Sequence, residues 1–170
     1  ENREEKIRQA MDYFYKGEIA KRILQYASTH PVKDASGEYH TPLLELEDFY
    51  RYKTRVEEPV AADYKQYRVF KCGPWTQGPV FLHQLKLLEG FPLKQMGHNT
   101  AEYIHTLVEC AKLAFADREK YYGDPEFTDV PLDKLLSEEY NRELRKRIDP
   151  LIANNLYTWE MNEPASDEAY

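Results

Sequence analysis

No stretch of this 170-residue chain is apolar for long enough to span a bilayer, since a crossing helix needs about 20 predominantly apolar residues. Basic residues are in deficit: 23 Lys and Arg against 30 Asp and Glu leave a net charge of −7. That balance argues against a nucleic-acid partner, which requires a basic face to neutralise phosphates. Cysteine is scarce, with Cys72 and Cys110 alone. Cys110 falls inside a helical pattern among apolar neighbours and Cys72 ends an extended segment, so both are expected as packed, reduced thiols. There is no internal repeat and no low-complexity tract. What the chain has in excess is ten prolines and fourteen tyrosines, and amphipathic Tyr suits surfaces with one apolar and one wet side.

Apolar periodicity predicts a mostly helical α+β fold with one β-hairpin. Ile7, Ala10, Met11 and Phe14 mark a first helix that stops at Gly17, and Ile19, Ala20, Ile23, Leu24 and Ala27 mark a second that ends before His30-Pro31. Residues 31–42 (PVKDASGEYHTP) read as a polar loop, and Leu46 to Tyr50 as a short helical turn. Arg55–Ala62 and Gln66–Cys72 read as two strands joined at Asp63-Tyr64-Lys65, with Pro59 confining the first to an edge or a bulge. After the turn-forming Gly73–Pro79 (GPWTQGP), Pro79 suits the start of a helix that directs Phe81, Leu82, Leu85 and Leu88 inward and ends at Gly90. Ser137 caps a later helix with Tyr140, Leu144 and Ile148 on one side, and Arg145, Lys146 and Arg147 complement its dipole. Residues 150–170 read as an irregular tail whose end, Asn162 to Tyr170 (NEPASDEAY), is acidic and expected to be mobile.

The strongest single signal is the segment Gly97–Phe127 (GHNTAEYIHTLVECAKLAFADREKYYGDPEF). Thr100 is placed to cap its helix. Gly123 is expected to close it in the left-handed conformation, and Asp124-Pro125 prevents continuation. Ile104, Leu107, Val108, Ala111, Ala114, Phe115, Arg118 and Tyr122 share one face, expected to be the buried one. Asp117 and Arg118 lie on neighbouring faces, each able to tie the helix to another element. Arg118, on the apolar stripe, is expected to find an ion pair or a carbonyl, the alternative being simple exposure. Asp124 is expected to turn the chain after Gly123.

The letters of this segment strongly resemble the large subunit of γ-glutamyltranspeptidases, most specifically in the AxADRxxYxGDP pattern from Ala114 to Pro125. Leu87–Leu93 (LLEGFPL) with Gly97–Thr100, Leu43–Phe70 and Phe14–Ile23 (FYKGEIAKRI) match the family in the same order. The resemblance implies an N-terminal nucleophile hydrolase built as an αββα sandwich, in which a precursor cuts itself and the freed Thr attacks with its own α-amino group as base. Such enzymes hydrolyse γ-glutamyl amides such as glutathione or transfer the γ-glutamyl group. Because the family's precursor is several times longer, residues 1–149 are expected to be part of the C-terminal half of a large subunit, not a complete domain. Glu1-Asn-Arg-Glu-Glu-Lys6 enters a helix directly, in keeping with a piece of a longer chain, and any targeting segment is expected upstream of it. Expected partners are the remainder of the large subunit, the small catalytic subunit and a γ-glutamyl small molecule. The family resemblance allows a periplasmic or secreted location without fixing one.

No catalytic residue is expected within these residues. Ser28-Thr29-His30 has nucleophile-like letters but is followed by Pro31 at a helix end, and Thr158 lacks the following His. The family's α-carboxylate-binding Arg is expected upstream of Glu1, and the oxyanion hole in the small subunit. No cofactor or metal is expected: His105 and Glu109 lack a third ligand and read as a solvated pair. Asp124, Glu126, Asp129 and Asp133 lack the spacing of a calcium loop. Gly73–Pro79 departs from the family's Pro-Pro-Ser-Ser-Gly-Gly type sequence by adding Trp75 and Gln77, which bears on acceptor preference if the turn faces the cleft. The alternatives are a non-catalytic helical protein-binding module and part of a cephalosporin-acylase-like amidase.

Overall fold

In the first half of the computed structural model, which describes residues 2–154, helix α1 (Arg3–Tyr15) starts where Asn2 accepts a hydrogen bond from the Glu5 backbone N–H. Helix α2 (Glu18–Thr29) follows after Gly17 and buries only Ala20. The expected loop contains a small antiparallel hairpin, β1 (Val32–Lys33) with β2 (Tyr39–His40). Its turn is made by Asp34, whose carboxylate accepts from Ser36, and by Gly37 at φ +89°, a conformation that a side chain disfavours. The expectation of a single hairpin is corrected here. A polar composition hid strands held by turn chemistry alone. Helix α3 (Leu46–Arg51) is closed at its start by a reciprocal Glu45–Asp48 capping box.

Residues Glu1–Val56 form one compact unit and Glu57–Tyr170 a second. In the second, strands β3 (Val60–Tyr64) and β4 (Tyr67–Lys71) pair antiparallel, with Ala62 opposite Val69. Pro59 lies just before the ladder rather than inside it, and the turn falls on Lys65 and Gln66, Lys65 at φ 53°. Helix α4 (Gly78–Leu88) starts one residue before Pro79 and is followed by α5 (Leu93–Met96), the long α6 (Ala101–Tyr121), α7 (Leu132–Leu135) and α8 (Glu138–Arg145). The core gathers Val80, Leu87 and Leu88 of α4, Cys110, Leu113 and Ala114 of α6, and Leu144 of α8. The mostly helical α+β class is as expected.

The orientation of α6 is not. Its buried residues are Thr106, Glu109, Cys110, Leu113, Ala114 and Asp117, whereas Ile104, Val108 and Phe115 are 48%, 49% and 40% exposed. Both faces repeat at helical spacing, so periodicity alone cannot choose between them. The inner face contains polar letters, each with a partner: Thr106 approaches the Met96 sulfur at 3.8 Å, Glu109 pairs with Lys112, and Asp117 accepts from Tyr140. Within α4, Phe81 likewise faces outward and His83 inward. Leu113→Ala is therefore expected to destabilise the chain by about 2–5 kcal/mol through a core cavity. Ile104→Ala should stay within about 0.5 kcal/mol; urea unfolding midpoints compare the two.

Candidate functional site

At the head of α6, Thr100 accepts from the Tyr103 N–H at 3.2 Å and donates its own hydroxyl to the Met96 carbonyl at 2.8 Å. The cap thereby links the first turn of α6 to the end of α5. At the far end Tyr122 is extended (φ −91°, ψ 139°) and donates its N–H to the Arg118 carbonyl. Gly123 is not left-handed, which corrects the expected closing conformation. A glycine is needed for another reason: a Cβ at Gly123 would lie 2.8 Å from the Thr128 hydroxyl. Asp124 turns the chain, its carboxylate accepting from the Glu126 N–H at 2.9 Å and its carbonyl from the N–H groups of Phe127 and Thr128.

Asp117 and Arg118 part company. Arg118 points to the outer face and pairs with the adjacent Glu119. Asp117 is 1% exposed and takes the Tyr140 hydroxyl on both oxygens, at 2.9 and 3.0 Å. Beside it lies His83, also 1% exposed, with Nε2 3.7 Å from the Asp117 carboxylate. By strict geometry neither ring nitrogen of His83 makes a hydrogen bond among the described residues, although the Asn141 side chain is close enough to favour a proton on the ring. Burial pushes the Asp117 carboxyl up to about 6, against the opposing Tyr140 hydrogen bond, and pushes the His83 imidazole down to about 4. The Tyr140 and Tyr122 phenols are raised by burial and then by the Asp117 charge. Asn141 donates to the carbonyls of Leu135 and Ser137 at 2.8 and 2.7 Å, which anchors α8 to α7.

A second polar pair corrects the solvated reading of His105 and Glu109. Glu109 is buried and held by Lys112, which also donates to the Asn154 carbonyl, while His105 Nε2 lies 2.9 Å from the Asp149 carbonyl. Both cysteines are free, and burial lifts the Cys110 thiol to about 12, leaving it unreactive. Cys72, one residue past the end of β4, is exposed, which corrects its expected packing. Among the described residues no group of three or more His, Cys, Asp and Glu is placed to hold a metal.

The Gly73–Pro79 turn is closed by Thr76, which donates N–H and hydroxyl to the Gly73 carbonyl. Trp75 is exposed and donates its indole N–H to Glu57 at 2.7 Å. An open groove of about 670 Å³ runs beside the turn, lined by Pro59, Phe70, Lys71, Cys72, Thr76, Gln77, Gly78 and Phe81. In the other unit, Thr29 ends α2 and donates its hydroxyl to the Gln25 carbonyl at 2.8 Å. That placement gives it no base of the N-terminal kind. Thr158 lies outside the described residues.

A family model described as gamma-glutamyltranspeptidase matches residues 5–169. The chain belongs to this family. It is 35% identical to the glutathione hydrolase-like YwrD proenzyme of Bacillus subtilis over 135 residues, 79% of this chain and 24% of that protein. A glutathione hydrolase proenzyme of a Pseudomonas species is 34% identical over 140 residues, 82% of this chain and 23% of its own. Among solved structures, cephalosporin acylase from Bacillus halodurans superposes with a TM-score of 0.66 at 35% identity, covering 81% of this chain and 24% of that one. The chain thus spans about a quarter of the length of these γ-glutamyltranspeptidase-family relatives.

Sequence reasoning missed His83, Tyr140 as a carboxylate partner, and the burial of Glu109. The signal that could have found them was the second helical stripe of α6, Thr106, Cys110, Leu113 and Asp117, set against the polar letters inside otherwise apolar α4. Thr100→Ala is expected to cost about 1 kcal/mol and Thr100→Asn much less, as thermal melts of the two variants will show.

Proposed function

We propose that the chain is scaffold within a γ-glutamyltranspeptidase-like enzyme that hydrolyses or transfers γ-glutamyl groups, with the N-terminal Thr nucleophile supplied elsewhere in a longer precursor. The observation that carries this reading is the family match over residues 5–169 at about a quarter of the relatives' length. Relatives named as glutathione hydrolase proenzymes support a self-processing precursor. On this reading the remainder of the large subunit and the small catalytic subunit are its partners.

Uncovered apolar faces support the same view. In the second unit the outer stripe of α6 carries Ile104, Val108 and Phe115; in the first, Ile7, Met11, Phe14 and Ile23 are all exposed. A chain that ordinarily packed against nothing would expose fewer large side chains in register. The likeness to cephalosporin acylase favours one second reading, an amidase of that type on the same scaffold.

The 170-residue chain alone is expected to enhance the fluorescence of an apolar dye and to release no nitroaniline from a γ-glutamyl anilide. Serine at Ile104, Val108 and Phe115 together should lower the dye signal several-fold. A sharp thermal transition with no dye uptake would instead support a free-standing binding module. In the longer precursor, Arg118→Ala, on the outer face beside Phe115, is expected to slow self-cleavage with little change in KM. A selective rise in KM with normal maturation would contradict the scaffold role.

A further inference from the structure

We propose that His83 and Asp117 form a buried one-proton pair that keeps its proton on the carboxyl in mildly acidic solution, so that α4, α6 and α8 meet through an uncharged junction. The geometry is that of an ion pair without its usual support. The two groups are each 1% exposed and 3.7 Å apart, within reach of Coulomb attraction yet beyond direct hydrogen bonding. Tyr140 of α8 donates to the carboxyl from the third side, and its ring centroid lies 6.2 Å from that of His83. Charging both groups would bury two ions, a cost that attraction offsets only where hydrogen bonds satisfy each of them. Moving one proton from ring to carboxyl removes both charges at once.

The neighbours do little to reverse that preference. Lys120 from α6, Lys134 from α7 and Arg147 beyond α8 favour the ionised Asp117, but all rank behind its burial. Lys134 sits over the Tyr140 and Tyr121 rings at 5.1 and 5.2 Å. On α4 the nearby cation Lys86 is bound to Glu89 at 2.6 Å. Around His83, Asn141 favours a ring proton, but less than burial opposes it. Tyr122 adds a phenol that burial keeps protonated.

The ordinary order of the two groups is thereby inverted. Asp117 rises from 3.8 to about 6 while His83 falls from 6.5 to about 4. Taken alone, the raised carboxyl favours folding below its unfolded value of 3.8, an advantage lost as pH climbs to about 6. The depressed imidazole favours folding above 6.5, an advantage lost as pH falls to about 4. Between about 4 and 6 the folded pair holds one proton on Asp117, and the unfolded chain holds one on His83. The count is equal, so the opposing slopes cancel and the junction contributes no pH dependence of its own.

The test follows unfolding of the full chain between pH 4 and 7 for the wild type, Asp117→Asn, His83→Gln and the double variant, which sets the baseline for all other groups. Relative to that baseline, Asp117→Asn should become more stable with rising pH and His83→Gln less stable. Each should change its unfolding constant on the order of a hundredfold across the window, with the wild type parallel to the baseline. Single variants with slopes of the same sign, or both flat, would overturn the pair. If a variant does not fold, the ring 15N shifts of wild-type His83 at pH 5.5 decide. A neutral His83 ring supports the proposal. An imidazolium at His83 refutes it.

Discussion

Val80, Leu87 and Leu88 of α4 press against Cys110, Leu113 and Ala114 of α6, and the other elements of the second unit attach to that seam. Strand β3 reaches α4 through Glu89, which accepts from the Lys65 N–H at the hairpin turn, while Lys86 holds Glu89 in place. Helix α8 approaches from another side, where Arg145 donates to the Lys86 carbonyl at 3.0 Å and pairs with Glu138. Burying large aliphatic side chains at the seam stabilises by roughly 1.5–3 kcal/mol each, far more than the exposed ion pairs that decorate the outer surfaces. The buried polar groups settle orientation instead. The Tyr140–Asp117 hydrogen bond and the two that the Asn141 amide nitrogen donates can form only if α6, α7 and α8 meet in one arrangement.

Much of this was legible in the letters because it is local chemistry. Thr100 and Ser137 cap where short polar side chains precede apolar periodicity, and each accepts from the expected turn of backbone. The β3–β4 pairing could be read from composition to within two residues of its turn. The facing of α6 could not. That helix carries two apolar stripes, and the one richer in Ile, Val and Phe lies outward. Which stripe turns inward is decided by partners far along the chain: His83 is 34 residues before Asp117, and Tyr140 is 23 after it. Gly123 shows the same limit on a smaller scale, since its need for no side chain comes from Thr128 rather than from a left-handed turn.

AxADRxxYxGDP identifies a γ-glutamyltranspeptidase lineage, and the structure divides those letters by direction: Asp117 to the interior, Arg118 to the outer face, Gly123 and Asp124 to the turn. None of these positions is arranged as a nucleophile with a base. The motif therefore describes how a long helix is fastened on its inner side while an apolar band is left on its outer side.

That two-sidedness restricts how the segment can vary. α6 runs over 21 residues, roughly 30 Å of nearly rigid rod, and each added residue would rotate everything beyond it by about 100°. A single insertion between Thr100 and Asp117 would swing the buried carboxyl toward solvent and bring outer apolar side chains round to the seam, undoing both sides together. The helix can accept exchanged letters at its exposed positions far more readily than a change in their number.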